Sequence, residues 1–341
     1  MGNTSQGEPV VITCQPLAGL AFLWSTNITI SNLTLINCGK IQSEHDNDCN
    51  PIQVAILFTG CSSIELSNLH VNESSGTGVA VYNAMDKVSI DSCQFMYGGG
   101  GLVIEASEAT SQSFCTITNS TFTHNTASSA AGQWINPCGS TARGGGISVV
   151  LRGEATNNTV QLLNSVRLNN NKAQFGGGLF LGFYDNASGN TVTVDNAEVT
   201  ENEVLIEKAS SASGGGIFIG FAATGTNGLF GNVVTINSSR IISNEADIGG
   251  GISVNLVHNA HECSTDSNKL VIENSTFDSN TAFQGSSAYL SQSGKCSQPL
   301  LNTTVSSSNF TNGHCGSIMR NQFVLRCYGN LLAESMPIIL I

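Results

Sequence analysis

The 341-residue chain is short of charge: Asp, Glu, Lys and Arg make up only 11% of it, and just 12 residues are basic. The basic residues are scattered, against 24 acidic ones and a formal net charge of −12. Nucleic acid held through its phosphates is therefore not an expected partner, because that needs clustered Lys and Arg. No apolar run approaches the roughly 18 residues of a spanning helix, so no direct membrane span is expected. The opening residues lack the charged start and apolar core of a secretory leader. A myristoylation pattern fails at Gln6, where Ser or Thr is needed. The closing stretch Met336-Pro-Ile-Ile-Leu-Ile341 is apolar. Together these ends predict a piece of a longer protein whose leader lies elsewhere.

What the chain does have is 37 Gly, 11 Cys and an abundance of Ser, Thr and Asn, with 6 Pro. Such residues suit strand faces and polar corners better than helices. Eleven Cys favours an oxidising compartment. Pairs that would staple local loops are Cys38 with Cys49, Cys115 with Cys138, Cys263 with Cys296, and Cys315 with Cys327, leaving Cys14, Cys61 and Cys93. The alternative is buried free thiols, which behave as small apolar groups. Eleven Asn-x-Ser/Thr sequons point the same way, although a chain of this composition gives about seven by chance. Asn72, Asn157, Asn186 and Asn302 are the candidate glycosylation sites.

The main signal is a repeated phrase. It consists of a period-two run, an apolar residue, two polar residues, an Asn, and then a Gly triplet opening another apolar run. It reads Phe122-Thr-His-Asn125 before Gly144-Gly-Gly-Ile-Ser-Val, Leu168-Asn-Asn-Asn171 before Gly176-Gly-Gly-Leu-Phe-Leu, and Val199-Thr-Glu-Asn202 before Gly214-Gly-Gly-Ile-Phe-Ile. It returns as Ile241-Ile-Ser-Asn244 with Gly249-Gly-Gly-Ile-Ser-Val, and in worn form as Phe277-Asp-Ser-Asn280 with Gly285-Ser-Ser-Ala-Tyr-Leu. Alignment on the apolar residue gives Leu35, Val71, Phe95, Phe122, Leu168, Val199, Ile241, Phe277 and Phe310, spaced by 36, 24, 27, 46, 31, 42, 36 and 33. Units of this length cannot bury an apolar face alone and must stack. A floor near 24 fits three short strands and three corners. The excess is inserted loop, as in the eighteen residues 126–143 and the eleven residues 203–213, where other copies have four. Insertions confined to particular corners fall on one side of a stack, often the binding side.

A polar residue stands three before each aligned apolar one: Asn32, Asn68, Ser92, Asn119, Ser165, Asn196, Ser238, Asn274 and Ser307. We expect these to form an inward amide and hydroxyl ladder, which would deny glycans to Asn32, Asn119 and Asn274. The Gly triplets are expected to be architectural, giving positive φ or close approach at a corner. They lack the Lys-Ser/Thr of a phosphate loop and the Gly-Gly-x-Gly-x-Asp of a calcium nonapeptide.

The phrase resembles the Phe-x-x-Asn and Gly-Gly-Ala-Ile repeats of the chlamydial polymorphic outer-membrane proteins over roughly residues 20–315. Gly here replaces the Ala, and the aromatic is often Leu, Val or Ile. The resemblance implies a right-handed parallel β-helix of the pectin lyase-like class. The fold expected is all-β, a single-stranded right-handed parallel β-helix of about nine coils with loop insertions at two corners. Residues 1–19 would be a lead-in or partial cap, 20–315 the helix, and 316–341 an extension or cap. At a rung spacing of ~4.8 Å the shaft would be roughly 45 Å long. A β-propeller is the alternative, but its blades repeat more evenly.

Many proteins of this class cleave acidic polysaccharides. Here Gly313-His314-Cys315 has no neighbouring Asp pair and there is no Arg-x-Lys. Hydrolysis needs two opposed carboxylates, and Arg152, Arg167 and Arg240 have no acidic cluster beside them in sequence. Glu198, Glu201, Glu203 and Glu207 read as a solvated edge rather than a cation site. His258, His261 and Cys263 lack a complete zinc ligand set. No cofactor is expected. Trp134, in the longest insertion, is the candidate ligand-loop residue, able to stack on a sugar or to pack its loop onto the shaft. The reading is a non-enzymatic extracellular or cell-surface module, structural or adhesive, binding a glycan or protein through corner loops. The alternatives are a polysaccharide lyase or glycoside hydrolase, and a passive spacer.

Overall fold

The structure is a computed structural model. It describes residues 10–14, 19–38, 54–107, 110–127, 143–205, 212–223, 229–258, 267–294, 301–312 and 315–316. Strands fill three sheets of 17, 10 and 4 members, with no helix among the described residues. One coil shows the logic. Thr191–Asp195 and Glu198–Thr200 lie in the long sheet, Glu203–Val204 in the short sheet, and Ile217–Ala223 in the ten-stranded sheet. The chain then enters Val233–Asn237, parallel to Thr191–Asp195 and one rung on. Period two turns Val192, Val194, Val199, Ile217, Ile219 and Phe221 into a shared core, each fully or almost fully buried. Each such side chain contributes about 1.5–3 kcal/mol.

The alignment on the phrase holds rung by rung. Leu35 pairs with Val71, Val71 with Phe95, Phe95 with Phe122, and Phe122 with Leu168. Leu168 pairs with Val199, Val199 with Ile241, Ile241 with Phe277, and Phe277 with Phe310. Like side chains therefore stack: Phe95 on Phe122 at 4.8 Å and Phe277 on Phe310 at 4.7 Å between ring centroids. The ten-stranded sheet counts one more coil than the nine phrases, because Val10–Thr13 and Leu20–Leu23 add a rung ahead of Leu35. Residues 10–13, expected to be lead-in, are already a rung strand.

The expected inward ladder is a correction. All nine residues assigned to it have positive φ, from 47° at Ser307 to 66° at Ser165. All are exposed except Ser92, which is half-buried. They are the corner that divides each long-sheet run, and Asn and Ser recur there because short polar side chains tolerate the left-handed region. The buried ladder instead belongs to the Asn of the phrase. Asn125, Asn171, Asn202, Asn244 and Asn280 are each at most 1% exposed. Each Nδ2 donates to the next Oδ1 at 3.0 Å. That oxygen also accepts the backbone N–H of the donor residue, at 2.9–3.1 Å. The second N–H of each amide reaches the carbonyl of the aligned apolar residue one rung back, as in Asn202 to Leu168 at 2.8 Å. A second ladder, Asn158–Asn190–Asn232–Asn268, repeats this at another corner. Both networks are satisfied along their length, which lets amides replace apolar side chains inside the shaft.

The triplets act as expected. Gly176 has φ +63°, and a Cβ on Gly177 would lie 2.5 Å from the Gly215 carbonyl oxygen of the next rung.

The cysteine pairing differs from expectation. Cys38 is bonded to Cys14, not Cys49, with Cα atoms 4.9 Å apart. The rung Val10–Thr13 lies directly against Leu33–Ile36, so stacking brings together residues that loop counting did not. Cys115 is a buried free thiol rather than the partner of Cys138, as are Cys61 and Cys93. Burial pushes Cys93 up to about 11 and Cys115 up to about 12, so neither is a nucleophile at neutral pH. Cys49, Cys138, Cys263, Cys296 and Cys327 lie outside the described residues, and of Cys315 only the backbone is described.

Candidate functional site

Stacking assembles what the sequence scatters. The two long insertions open at one corner. Thr126 bridges Lys172, which pairs with Glu203, so both insertions leave from stacked positions. They rejoin at Arg143 and Ser213, each of which bridges Phe175. Between them lies a single rung closed by the four residues 172–175. Trp134 lies outside the described residues.

Arg143, at the end of the longer insertion, sits over two rings of the ten-stranded sheet, 5.1 Å from the Phe180 centroid and 5.3 Å from that of Tyr184. Phe180 stacks on Phe218 at 5.4 Å, and Phe175 meets Phe218 edge-on at 5.2 Å. These side chains are on the outer face of the sheet, since Leu179 and Leu181 beside Phe180 point into the core. Phe180 and Phe218 are nonetheless buried.

Further along the same face, Arg152 Nη2 is 2.6 Å from Glu105 Oε1, and the Glu105 side chain is only 4% exposed. Burial pushes Glu105 up to about 7, against the pull of the Arg152 and Arg143 guanidinium groups. Burial, reinforced by Glu105, also raises the neighbouring Tyr82 hydroxyl. This is a single carboxyl that changes charge near neutrality. A hydrolytic pair needs a second, opposed carboxylate.

On the long sheet, Glu198 lies between Arg167 and Arg240 of the adjacent rungs, at 3.7 and 3.2 Å. Lys172 Nζ meets Glu203 at 2.5 Å. Asn170 donates to Glu201 at 3.0 Å. The acidic edge is therefore spent on ion pairs and hydrogen bonds between rungs, each worth little because it is exposed. The three arginines that lack an acidic cluster in sequence have acidic partners in space, 42 or 47 residues away for Arg240 and Arg152. Aligning the Gly-opened strands would have found the Arg152 pair, because Val150 pairs with Glu105. No group of three or more metal-binding side chains occurs among the described residues. Glu207, His261 and the side chain of His258 are outside them.

Of the candidate sequons, Asn157 and Asn302 are exposed, and Asn72 and Asn186 are half-buried. The Oδ1 atoms of Asn72 and Asn186 are buried without a hydrogen-bond partner. Asn32, Asn119 and Asn274 are exposed, against the expectation that a ladder would sequester them.

Among solved structures, the chain is similar to PfbA, a surface adhesin of Streptococcus pneumoniae, at 13% identity and a TM-score of 0.41, covering 94% of this chain and 76% of that one. No curated protein matches it in sequence. A family model, the right handed beta helix region, matches residues 54–227. With half of the sequence inside that match and parallel rungs continuing beyond it at both ends, the chain belongs to the right-handed β-helix family.

Proposed function

We propose that the protein is a non-enzymatic extracellular shaft that holds a glycan or protein partner at the corner where 126–143 and 203–213 emerge. The observation that carries this reading is that both insertions leave from and return to stacked positions of one corner, one short rung apart, beside an Arg-capped aromatic cluster. Aromatic rings and a guanidinium suit sugar faces and protein side chains alike. The Cys14–Cys38 disulfide and the exposed sequons Asn157 and Asn302 favour an oxidising, extracellular setting. The test is a panel of immobilised glycans and extracellular-matrix proteins. It compares the intact chain with one in which 128–142 is replaced by a short Gly-Ser linker. Binding lost with an unchanged β-type circular dichroism spectrum supports the reading. Binding retained in full sinks it.

The buried Glu105 favours a second reading, a lyase or hydrolase acting on a polyuronide, since a carboxyl poised near 7 suits general acid–base work. That reading requires sugar release by the intact chain and its loss in Glu105→Gln.

A further inference from the structure

The corner that divides each long-sheet run is described on every rung. Residues 26–37, 62–72, 87–96, 114–123, 159–169, 191–200, 233–242, 268–278 and 301–311 are all described, so no undescribed segment leaves from it. Five of its nine corner residues are Asn, and three of these open a sequon: Asn32-Leu-Thr34, Asn119-Ser-Thr121 and Asn274-Ser-Thr276. Asn68 and Asn196 do not, because His70 and Glu198 stand where Ser or Thr is required. Asn32, Asn119 and Asn274 are exposed, with φ of 53°, 49° and 49°. Thr34, Thr121 and Thr276 stand half-buried in one outward column, the one that holds Arg167, Glu198 and Arg240. Asn119 Nδ2 donates to Asp91 Oδ1 at 2.9 Å, and Asn274 Nδ2 to Asn237 Oδ1 at 3.1 Å. An amide has two N–H groups, and each contact uses one.

We infer that this corner is an N-glycosylation edge, with Asn32, Asn119 and Asn274 as its acceptors. The inference rests on the extracellular setting proposed above, and adds a modification that setting does not specify. Each Nδ2 attacks C1 of an oligosaccharide carried on a polyprenyl diphosphate. The N–C1 bond forms, the C1–O bond to the diphosphate breaks, and Nδ2 gives up one proton. A bulky polar chain is tolerated here because it leaves from a convex surface and displaces no packed side chain. The acceptors are three and then four rungs apart, ~14 and ~19 Å along the shaft. Sugars on adjacent rungs, ~4.8 Å apart, would crowd each other. The neighbouring sequon Asn237-Ser-Ser239 is different. Ser239 is 1% exposed and its hydroxyl is spent on the Asn237 carbonyl at 2.7 Å, while Asn237 Nδ2 donates to Asp195 at 2.7 Å. Asn237 therefore stays bare.

The test is secretion of the full chain from cultured eukaryotic cells behind an added leader. Enzymatic release of N-glycans in heavy-oxygen water then marks each modified Asn for peptide mass spectrometry. The expected result is sugar at Asn32, Asn119 and Asn274 and none at Asn237. Glu198→Thr completes a sequon at Asn196, on the same corner, and should gain one further glycan with secretion unchanged. Bare Asn119 and Asn274 beside sugar on Asn157 or Asn302 overturn the inference and leave the extracellular reading standing. A Glu198→Thr chain that gains no glycan, or Asn237 as fully modified as Asn274, overturns it as well. A chain retained in the cell without sugar at any sequon sinks the extracellular reading together with this one.

Discussion

The middle of the shaft and its first rungs solve the same corner differently. From Asn125 to Asn280 the corner after the aligned apolar residue holds a buried amide in every rung. In the three preceding rungs Cys38, Ser74 and Gly98 stand in that place. There the corner is closed by the Cys14–Cys38 bond, by the Ser74 hydroxyl turned back on Gly76 at 3.0 Å, and by the Gly98 N–H donating to Asn125 at 3.0 Å. The backbone spacing differs as well. A Cβ on Gly177 would meet backbone atoms at 2.5 and 2.7 Å, whereas on Gly100, in the same column, it would meet only the Thr77 hydroxyl at 3.6 Å. In this column the amide ladder and the tight glycines occur together, and room for a side chain returns at Gly100, whereas the adjacent column stays tight through Gly78 and Gly101.

The largest effect should come from filling the tight column. Gly177→Ala is expected to destabilise by about 4 kcal/mol, since the clash is with backbone that cannot swing away. Gly100→Ala should be near neutral. Urea denaturation of the two variants checks this, and equal losses would erase the difference between the regions. Next is the disulfide. Its loss in Cys14→Ser/Cys38→Ser removes up to about 3 kcal/mol. The loss should appear as faster amide exchange in Ile28–Ile36 and not in Val233–Asn237.

Smaller effects follow from titration. Glu105 prefers the protonated form in the fold, so its contribution is complete below about 4.5 and is lost as pH rises through about 7. Glu105→Gln should flatten the stability–pH curve in that window, and an unchanged slope would show that Arg152 fully compensates the burial. Smallest is the outer flank. Hydrogen bonds from Thr311 and Asn312 hold the half-buried Asp278 carboxyl below its usual range. Its contribution is present at neutral pH and is lost only as pH falls through that lowered value. Asp278→Asn should remove that acid-side loss and change little at pH 7.

The sequence carried the stack but not the direction of every side chain. The phrase contains both the residue that faces in and the one that turns out. In Val192-Thr-Val-Asp-Asn-Ala-Glu-Val199, the buried positions are 192 and 194, then 197 and 199. The parity slips by one at Asn196, and that slip marks a corner with positive φ rather than an inward residue. It is legible in the run, but the recurrence of Asn and Ser at that place in every rung imitates a stacked ladder. The phrase Asn follows a second slip of the same kind, at Glu201, and only the stacked rungs show each amide reaching both neighbours. The Glu105–Arg152 and Glu198–Arg240 contacts required rung register, and the Cys14–Cys38 bond required a rung ahead of the first phrase.

The most direct test sets two asparagines of one coil against each other. Asn202→Ala would leave the Asn171 backbone N–H and one of its two side-chain N–H groups without a partner inside the shaft, would take the side-chain donor from the Leu168 carbonyl, and should cost about 3 kcal/mol. Asn196→Ala would put a Cβ-bearing residue without amide help at an exposed positive-φ corner, at about 1 kcal/mol. Urea denaturation of both in parallel is predicted to show the larger loss at Asn202. Equal losses, or a larger one at Asn196, would contradict the buried amide ladder as the device that holds the middle rungs together.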